Sequence, residues 1–191
     1  MGAFEHVVVL FSFVYAVALT HILSTGAAML RADSGLRFSW IYLGWLINAV
    51  IVIIANWTSL WDLRGIQSYS IAIIFFTFGL AIVNYLYAAL VSLEGRRDGE
   101  LDLRDYHDQQ GRRYIGAFVL SAAMALAANL LFGSAFSIGE FLRQNAAVVP
   151  MVITSIIAWV FVRRTWVQAA ALVALIVIWS FYFGGLQSAL S

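Results

Sequence analysis

Long apolar runs separated by short polar stretches make up almost the whole of this chain. A helix needs about 20 apolar residues to cross the roughly 30 Å hydrocarbon core of a bilayer at about 1.5 Å per residue. Six segments approach or meet that length: approximately Phe4 to Leu30, Phe38 to Trp61, Tyr69 to Leu93, Arg113 to Gly133, Ala146 to Val162 and Trp166 to Leu190. The fifth is the shortest and carries the single proline, Pro150, in about its first turn, where a missing backbone N–H does little harm. The pattern predicts an all-α polytopic membrane protein, six transmembrane helices forming one domain over 1–191, since no hydrophilic stretch is long enough to fold alone. The first segment lacks the basic start of a signal peptide and is too long for its apolar core, so it is expected to stay in the mature protein. "MGAFEH" places His6 where a myristoylation signal needs Ser or Thr.

Composition agrees with a bilayer address. Hydrophobic residues make up 63% and charged residues only 11%, against about 25% charged in ordinary soluble domains. A net charge of +1 without a long basic run excludes nucleic acid as a partner on electrostatic grounds. Cysteine is absent, which removes disulfides, thiolate catalysis and cysteine metal sites. All eleven basic residues are arginine. Nine of them (Arg31, Arg37, Arg96, Arg97, Arg104, Arg112, Arg113, Arg163 and Arg164) fall in the first, third and fifth loops, against Arg64 and Arg143 on the other side. Basic loops stay in the cytoplasm, so both termini are expected to be non-cytoplasmic.

One charge-rich segment stands out, "EGRRDGELDLRDYHDQQGRRY". In it Glu100, Arg104, Asp108 and Arg112 recur every four residues with alternating sign, which places them on one helical face. Asp102 is the expected N-cap, and Gly111 weakens the helix by about 1 kcal/mol without ending it. The fourth helix is therefore expected to project into the cytoplasm as a charged helical extension over about 94–113. Such a stalk serves either as a docking surface, read through Arg104, Tyr106 and His107, or as a solvated anchor.

The apolar segments carry few polar residues, and several share a depth. His21 lies ten residues before Arg31, Asn48 eleven after Arg37 and Asn84 ten before Glu94, so each sits roughly 15 Å from the arginine-rich end. Ser121, Thr154 and Ser155 fall within about one turn of that level. Polar groups in hydrocarbon need partners, so this layer is expected to face the bundle interior, either as a ligand, proton or ion site or as interhelical glue. A second polar group gathers at the opposite surface: Glu5, His6, Asn56, Asp62, Arg64, Asn129, Glu140, Arg143 and Gln187, near the interfacial pair Trp57 and Trp61. It reads as loop capping or as a ligand cup. Small residues every four positions, Thr20, Ser24 and Ala28 on the first helix and Ser180, Gly184 and Ser188 on the sixth, are expected to let helices approach closely. The small-residue-rich "AFVLSAAMALAANLL" makes the fourth helix the candidate for the centre.

Reactive constellations are missing. HExxH and comparable ligand sets, paired intramembrane carboxylates, serine with a nearby base and phosphate loops are all absent from the sequence. His6 and His21 lie on one helix about 22 Å apart, which is unsuited to holding haem between two histidines. Secondary transporters often interrupt helices with Gly or Pro near the midplane and repeat their halves; Gly79 is the nearest candidate here, and a single glycine does not make that pattern.

Two resemblances follow from the motifs. "FSFVYAVALT", residues 11–20, is similar to the Phe-Ser-Asp first-helix motif of the small six-helix potassium channels of bacteria and lysosomes. Phe13 stands where that motif has Asp, no Arg precedes it, and that family's inward N-terminus is opposite to the one the arginines predict. No pore residue is carried over. "ALTHIL", "NWTSLW" and "DLRDYHDQQGRRY" together resemble a diffuse set of uncharacterised bacterial six-helix integral inner-membrane proteins, which implies the fold and an inner-membrane address but no activity. The sequence thus points to a non-catalytic membrane protein, an accessory or assembly subunit or binding protein of a membrane complex, acting with a protein partner or a second copy of itself. The alternative is a small cation or solute channel or transporter with His21, Asn48 and Asn84 along its path. A third reading uses His21 as a sensory group or single-histidine haem or chlorin ligand; otherwise no cofactor is expected.

Overall fold

In a computed structural model, residues 3–32, 36–61, 71–93, 102–132 and 137–190 are described. They form seven helices: α1 (Ala3–Arg31), α2 (Trp40–Ser59), α3 (Ile71–Val91), α4 (Leu103–Phe132), α5 (Ile138–Gln144), α6 (Val148–Val160) and α7 (Thr165–Leu190), and the described residues hold no strand. Five of these are long and apolar enough to cross a membrane, and α5 with α6, bent by 74° at their junction, make up to a sixth span. The chain therefore has a membrane-helical architecture, as the apolar runs predict.

The helix ends follow from local chemistry. Ser39 begins α2 by accepting the Tyr42 N–H (3.4 Å), and Ser137 begins α5 by accepting that of Glu140 (3.2 Å). Asp102 caps α4 as expected, its Oδ1 2.9 Å from the N–H groups of both Arg104 and Asp105. The same residue staples two loops, since Arg37 Nη1 reaches Asp102 Oδ2 at 3.4 Å and the Leu103 N–H donates to the Arg37 carbonyl at 3.0 Å.

The centre of the bundle is α2, not α4. It touches α1, α3, α4 and α7, while α1, α3, α4, α6 and α7 pack neighbour to neighbour around it. Its inner face carries Tyr42, Trp45, Asn48, Ala49 and Val52, all buried. Large aromatic residues have taken the middle, and the small residues of α4 line a side wall. Among the described glycines Gly44 is the most crowded, since a Cβ there would fall 2.6 Å from Leu172 Cδ1 on α7. The expected small-residue faces lie elsewhere: Thr20, Ser24 and Ala28 are all exposed on α1, as are Ser180 and Gly184 on α7, while the side chain of Ser188 is outside the described residues. Without helix contacts, Thr20 and Ser24 turn their hydroxyls back to the carbonyls of Ala16 and His21.

The charged run before the fourth span also departs from expectation. From Leu103 it is helical, but it packs along the bundle end and does not project as a stalk. Leu103, His107, Gly111, Tyr114, Ile115 and Phe118 form one buried stripe that continues through the charged residues. Arg104, Asp108 and Arg112 occupy the exposed opposite face, and Glu100 lies outside the described residues.

Candidate functional site

The mid-depth polar residues divide into separate clusters. Asn48, buried on α2, has a partner at each polar atom: its Nδ2 donates to Tyr87 Oη (3.0 Å) and its Oδ1 accepts from Trp179 Nε1 (2.9 Å). Tyr87 Oη passes its own hydrogen to the Trp45 carbonyl at 3.2 Å. Trp45 Nε1 in turn donates to Gln168 Oε1 (3.0 Å), and Gln168 Nε2 donates to the Ala158 carbonyl (2.8 Å). One network thus ties α2, α3, α6 and α7 together. Around it Trp45, Tyr87, Tyr114 and Phe118 form a solid aromatic block, with Tyr87 stacked on Phe118 at 5.4 Å and Trp45 set against Phe118 at 6.0 Å.

Asn84 and Ser121 do meet, as their shared depth predicts: Ser121 Oγ donates to Asn84 Oδ1 at 2.5 Å. Asn84 is fully enclosed, and its Nδ2 stands beside Tyr15 with no completed hydrogen bond. His21 is half-buried on α1, its ring edge-on to Tyr85 of α3 at 5.4 Å. Ser155 is buried and returns its hydroxyl to the Val152 carbonyl (2.9 Å). Thr154, one position earlier, turns instead into an apolar groove between α6 and α7.

Next to the Ser121–Asn84 pair lies a cavity of about 260 Å³, bounded by α2, α3, α4, α6 and α7. Its room comes from Ala122, Ala125 and Ala128, small side chains along one face of α4. Ser121 supplies a polar group at the deep end, and Asn56, Ser59 and Asn129 supply others towards the end remote from the arginines. Asn129 Nδ2 donates to Asn145 Oδ1 at the α5–α6 bend (2.7 Å), while Asn56 Nδ2 is held by the Val52 carbonyl (2.9 Å). Among the described residues no charged side chain lines this space. Trp179 forms part of its wall and hydrogen-bonds to Asn48, so the cavity abuts the aromatic block directly.

The remaining predicted positions are dispersed. Glu5 is exposed in the first turn of α1, the His6 side chain lies outside the described residues, and so do Asp62 and Arg64. Glu140 and Arg143 sit on the short α5. At the arginine-rich end Arg104 is exposed, but its expected docking companions turn inward. Tyr106 Oη lies 2.9 and 2.8 Å from the carbonyls of Leu90 and Ser92, closing the end of α3. His107 is only 4% exposed, with Nδ1 against the Tyr114 hydroxyl. His107 belongs to the buried stripe of α4, and the half-buried Tyr106 beside it is turned towards the end of α3.

Sequence reasoning missed Tyr15, Trp45, Tyr87 and Trp179, because Trp and Tyr count as apolar although each has a polar tip, and Gln168, because it lies only four residues after Arg164, where a polar side chain is ordinary. A signal existed in the spacing. Trp45 precedes Asn48 by three residues and Tyr87 follows Asn84 by three, so on two antiparallel helices the aromatic lies one turn nearer the arginines than the amide.

No known protein family, curated protein or solved structure matches this chain.

Proposed function

We propose that this chain is a non-catalytic binding subunit of a membrane, which takes a small, uncharged, hydrogen-bonding molecule into the 260 Å³ cavity. The observation that carries this reading is the position of the cavity, with polar groups at both levels and a closed aromatic block alongside. The described residues of the wall are all uncharged, which favours a neutral ligand over an ion. The volume lies just under the roughly 300–1,000 Å³ of drug-sized sites, which favours a small molecule. The arginine distribution, with basic loops kept on the cytoplasmic side, favours an outward-facing cavity. The block argues against a conduction path through Asn48, whose polar atoms are already satisfied by Tyr87 and Trp179.

Because the chain has no cysteine, a single Ala125→Cys variant tests the reading. In sealed vesicles of known orientation, a small membrane-impermeant thiol reagent should modify Cys at this position from the outer side and not from the arginine-rich side. Proteoliposomes should show no cation or solute flux above protein-free controls. Labelling from the arginine-rich side, or sustained flux, would replace this reading with the channel alternative.

A further inference from the structure

The polar side chains that line the cavity beside Ser121 have already turned hydrogens towards acceptors in the protein. Asn56 Nδ2 donates to the Val52 carbonyl at 2.9 Å, and the Ser59 hydroxyl donates to the Asn56 carbonyl at 2.8 Å. A carbonyl can only accept, so the direction of both bonds is fixed. Asn56 Oδ1 accepts nothing and is not closed off by its neighbours. At the α5–α6 bend two amides are ordered in series. Asn145 Nδ2 donates to the Phe141 carbonyl (2.9 Å), which turns Asn145 Oδ1 towards Asn129, so Asn129 meets it with Nδ2 (2.7 Å) and keeps its own Oδ1 without a protein donor.

At the deep end Ser121 Oγ lies 2.5 Å from Asn84 Oδ1, a separation that suits O–H···O and is shorter than N–H···O bonds normally reach. The serine therefore gives its hydrogen to the amide oxygen, and Asn84 Nδ2 is enclosed on the side of Tyr15. Trp179 directs its indole N–H to Asn48 Oδ1 at 2.9 Å. Apart from the Tyr182 hydroxyl, the described wall then has a simple inventory. Ser59, Ser121 and Trp179 have no hydrogen left to give, Asn56 and Asn129 keep one amide N–H each, and the two serines and two asparagines all keep an oxygen. Four oxygens against two N–H groups make a wall that chiefly accepts.

We propose that the ligand of this cavity is a small neutral alcohol, with an apolar body beside Ala122, Ala125 and Met151 and a hydroxyl that gives its hydrogen to Ser59 or Ser121. This rests on the binding reading above and adds the chemical class of the ligand. A hydroxyl suits both parts of the wall, since it donates to the serines and accepts from the amide N–H groups of Asn56 and Asn129. A ketone or ester of the same size has no hydrogen to give and leaves the serine oxygens unpaired once water is displaced. An ammonium group also donates, but the described wall holds no carboxylate to balance its charge.

Protection of the Ala125→Cys variant from the thiol reagent tests the proposal, with cyclohexanol and cyclohexanone as probes, two rings of nearly equal size that differ in the hydroxyl hydrogen. Cyclohexanol should slow modification at a concentration about tenfold lower than cyclohexanone, the effect of one or two neutral hydrogen bonds. A Ser24→Cys variant, exposed on α1 and away from the cavity, should show no such difference and so reports what the probes do to the bilayer itself. In a Ser59→Ala/Ser121→Ala background, which keeps the wall small, the two probes should protect Ala125→Cys alike. If that background fails to fold, the ratio in the single variant still decides. Equal protection by the two probes, or a preference for cyclohexanol that survives unchanged in the double-serine background, would overturn the alcohol assignment and leave the binding reading standing. Reaction from the outer side with no protection by either probe would overturn the assignment as well. No reaction from the outer side would remove the binding reading, and the proposal with it.

Discussion

At the scale of single residues, the amides of Asn48 and Gln168 matter more than their small number implies, because each closes two hydrogen bonds inside an apolar bundle. Replacing Asn48 with Leu leaves the Trp179 N–H without its acceptor and the Tyr87 hydroxyl without its donor. The expected loss is about 1–2 kcal/mol, read from unfolding in mixed detergent, since interhelical hydrogen bonds in membranes average about 0.6 and reach about 1.7 kcal/mol. His21→Leu should cost less than that in the same measurement, because the side chain is only half-buried and a leucine there can still lie against Tyr85. Equal losses at the two positions would place His21 in the structural network. The sequence makes Asn48, Asn84 and Ser121 visible as polar residues in apolar surroundings. It hides their partners, since whether a tryptophan faces lipid or an amide depends on rotation of the helix about its axis. A strongly apolar helix has no amphipathic pattern from which that rotation can be read.

At the scale of elements, length and apolarity made the long helices legible, whereas their packing faces were not. The repeat of small residues on α1 looks like a packing seam and lies exposed, so Ser24→Leu should change stability by no more than about 0.5 kcal/mol, as substitutions away from buried features usually do. Gly44 is the contrasting case. Gly44→Ile drives a branched side chain into Leu172 at the α2–α7 contact, and overpacking of this kind costs about 1–3 kcal/mol. Thermal unfolding of the two variants side by side should separate them clearly, and a reversed order would mean that α1 packs through its small face. The α4 stripe shows what a charge count conceals: Leu103, His107, Gly111 and Tyr114 recur at spacings of three and four within a charged run. Reading charge alone turns a packed helix into a projecting one.

The whole molecule is asymmetric along its helix axes, with a cavity lined by small residues towards one end, the Arg37–Asp102 staple at the other, and the aromatic block against the cavity wall. The stapled end should respond to acid through Asp102. Its carboxyl is held below the usual carboxylate range chiefly by the Asp105 N–H, with the Arg104 N–H and the Arg37 guanidinium adding to this against a smaller effect of burial. A depressed folded-state pKa stabilises the fold above the ordinary carboxylate pKa, and that contribution disappears as pH falls through the depressed value. The difference in unfolding midpoint between the unaltered protein and Asp102→Asn should therefore be constant from neutral pH down to about pH 5 and shrink below about pH 4. A constant difference throughout would exclude this linkage. Another consequence concerns how the chain is made. With 13 residues, α6 is only about 20 Å long, and its Ala158 carbonyl is met by a side chain from α7. While Gln168 is still within the ribosome, that terminal carbonyl has no such partner, so a nascent chain ending before α7 should hold α6 in the bilayer poorly. These two helices are then best inserted as one hairpin, the later one completing the hydrogen bonding of the earlier.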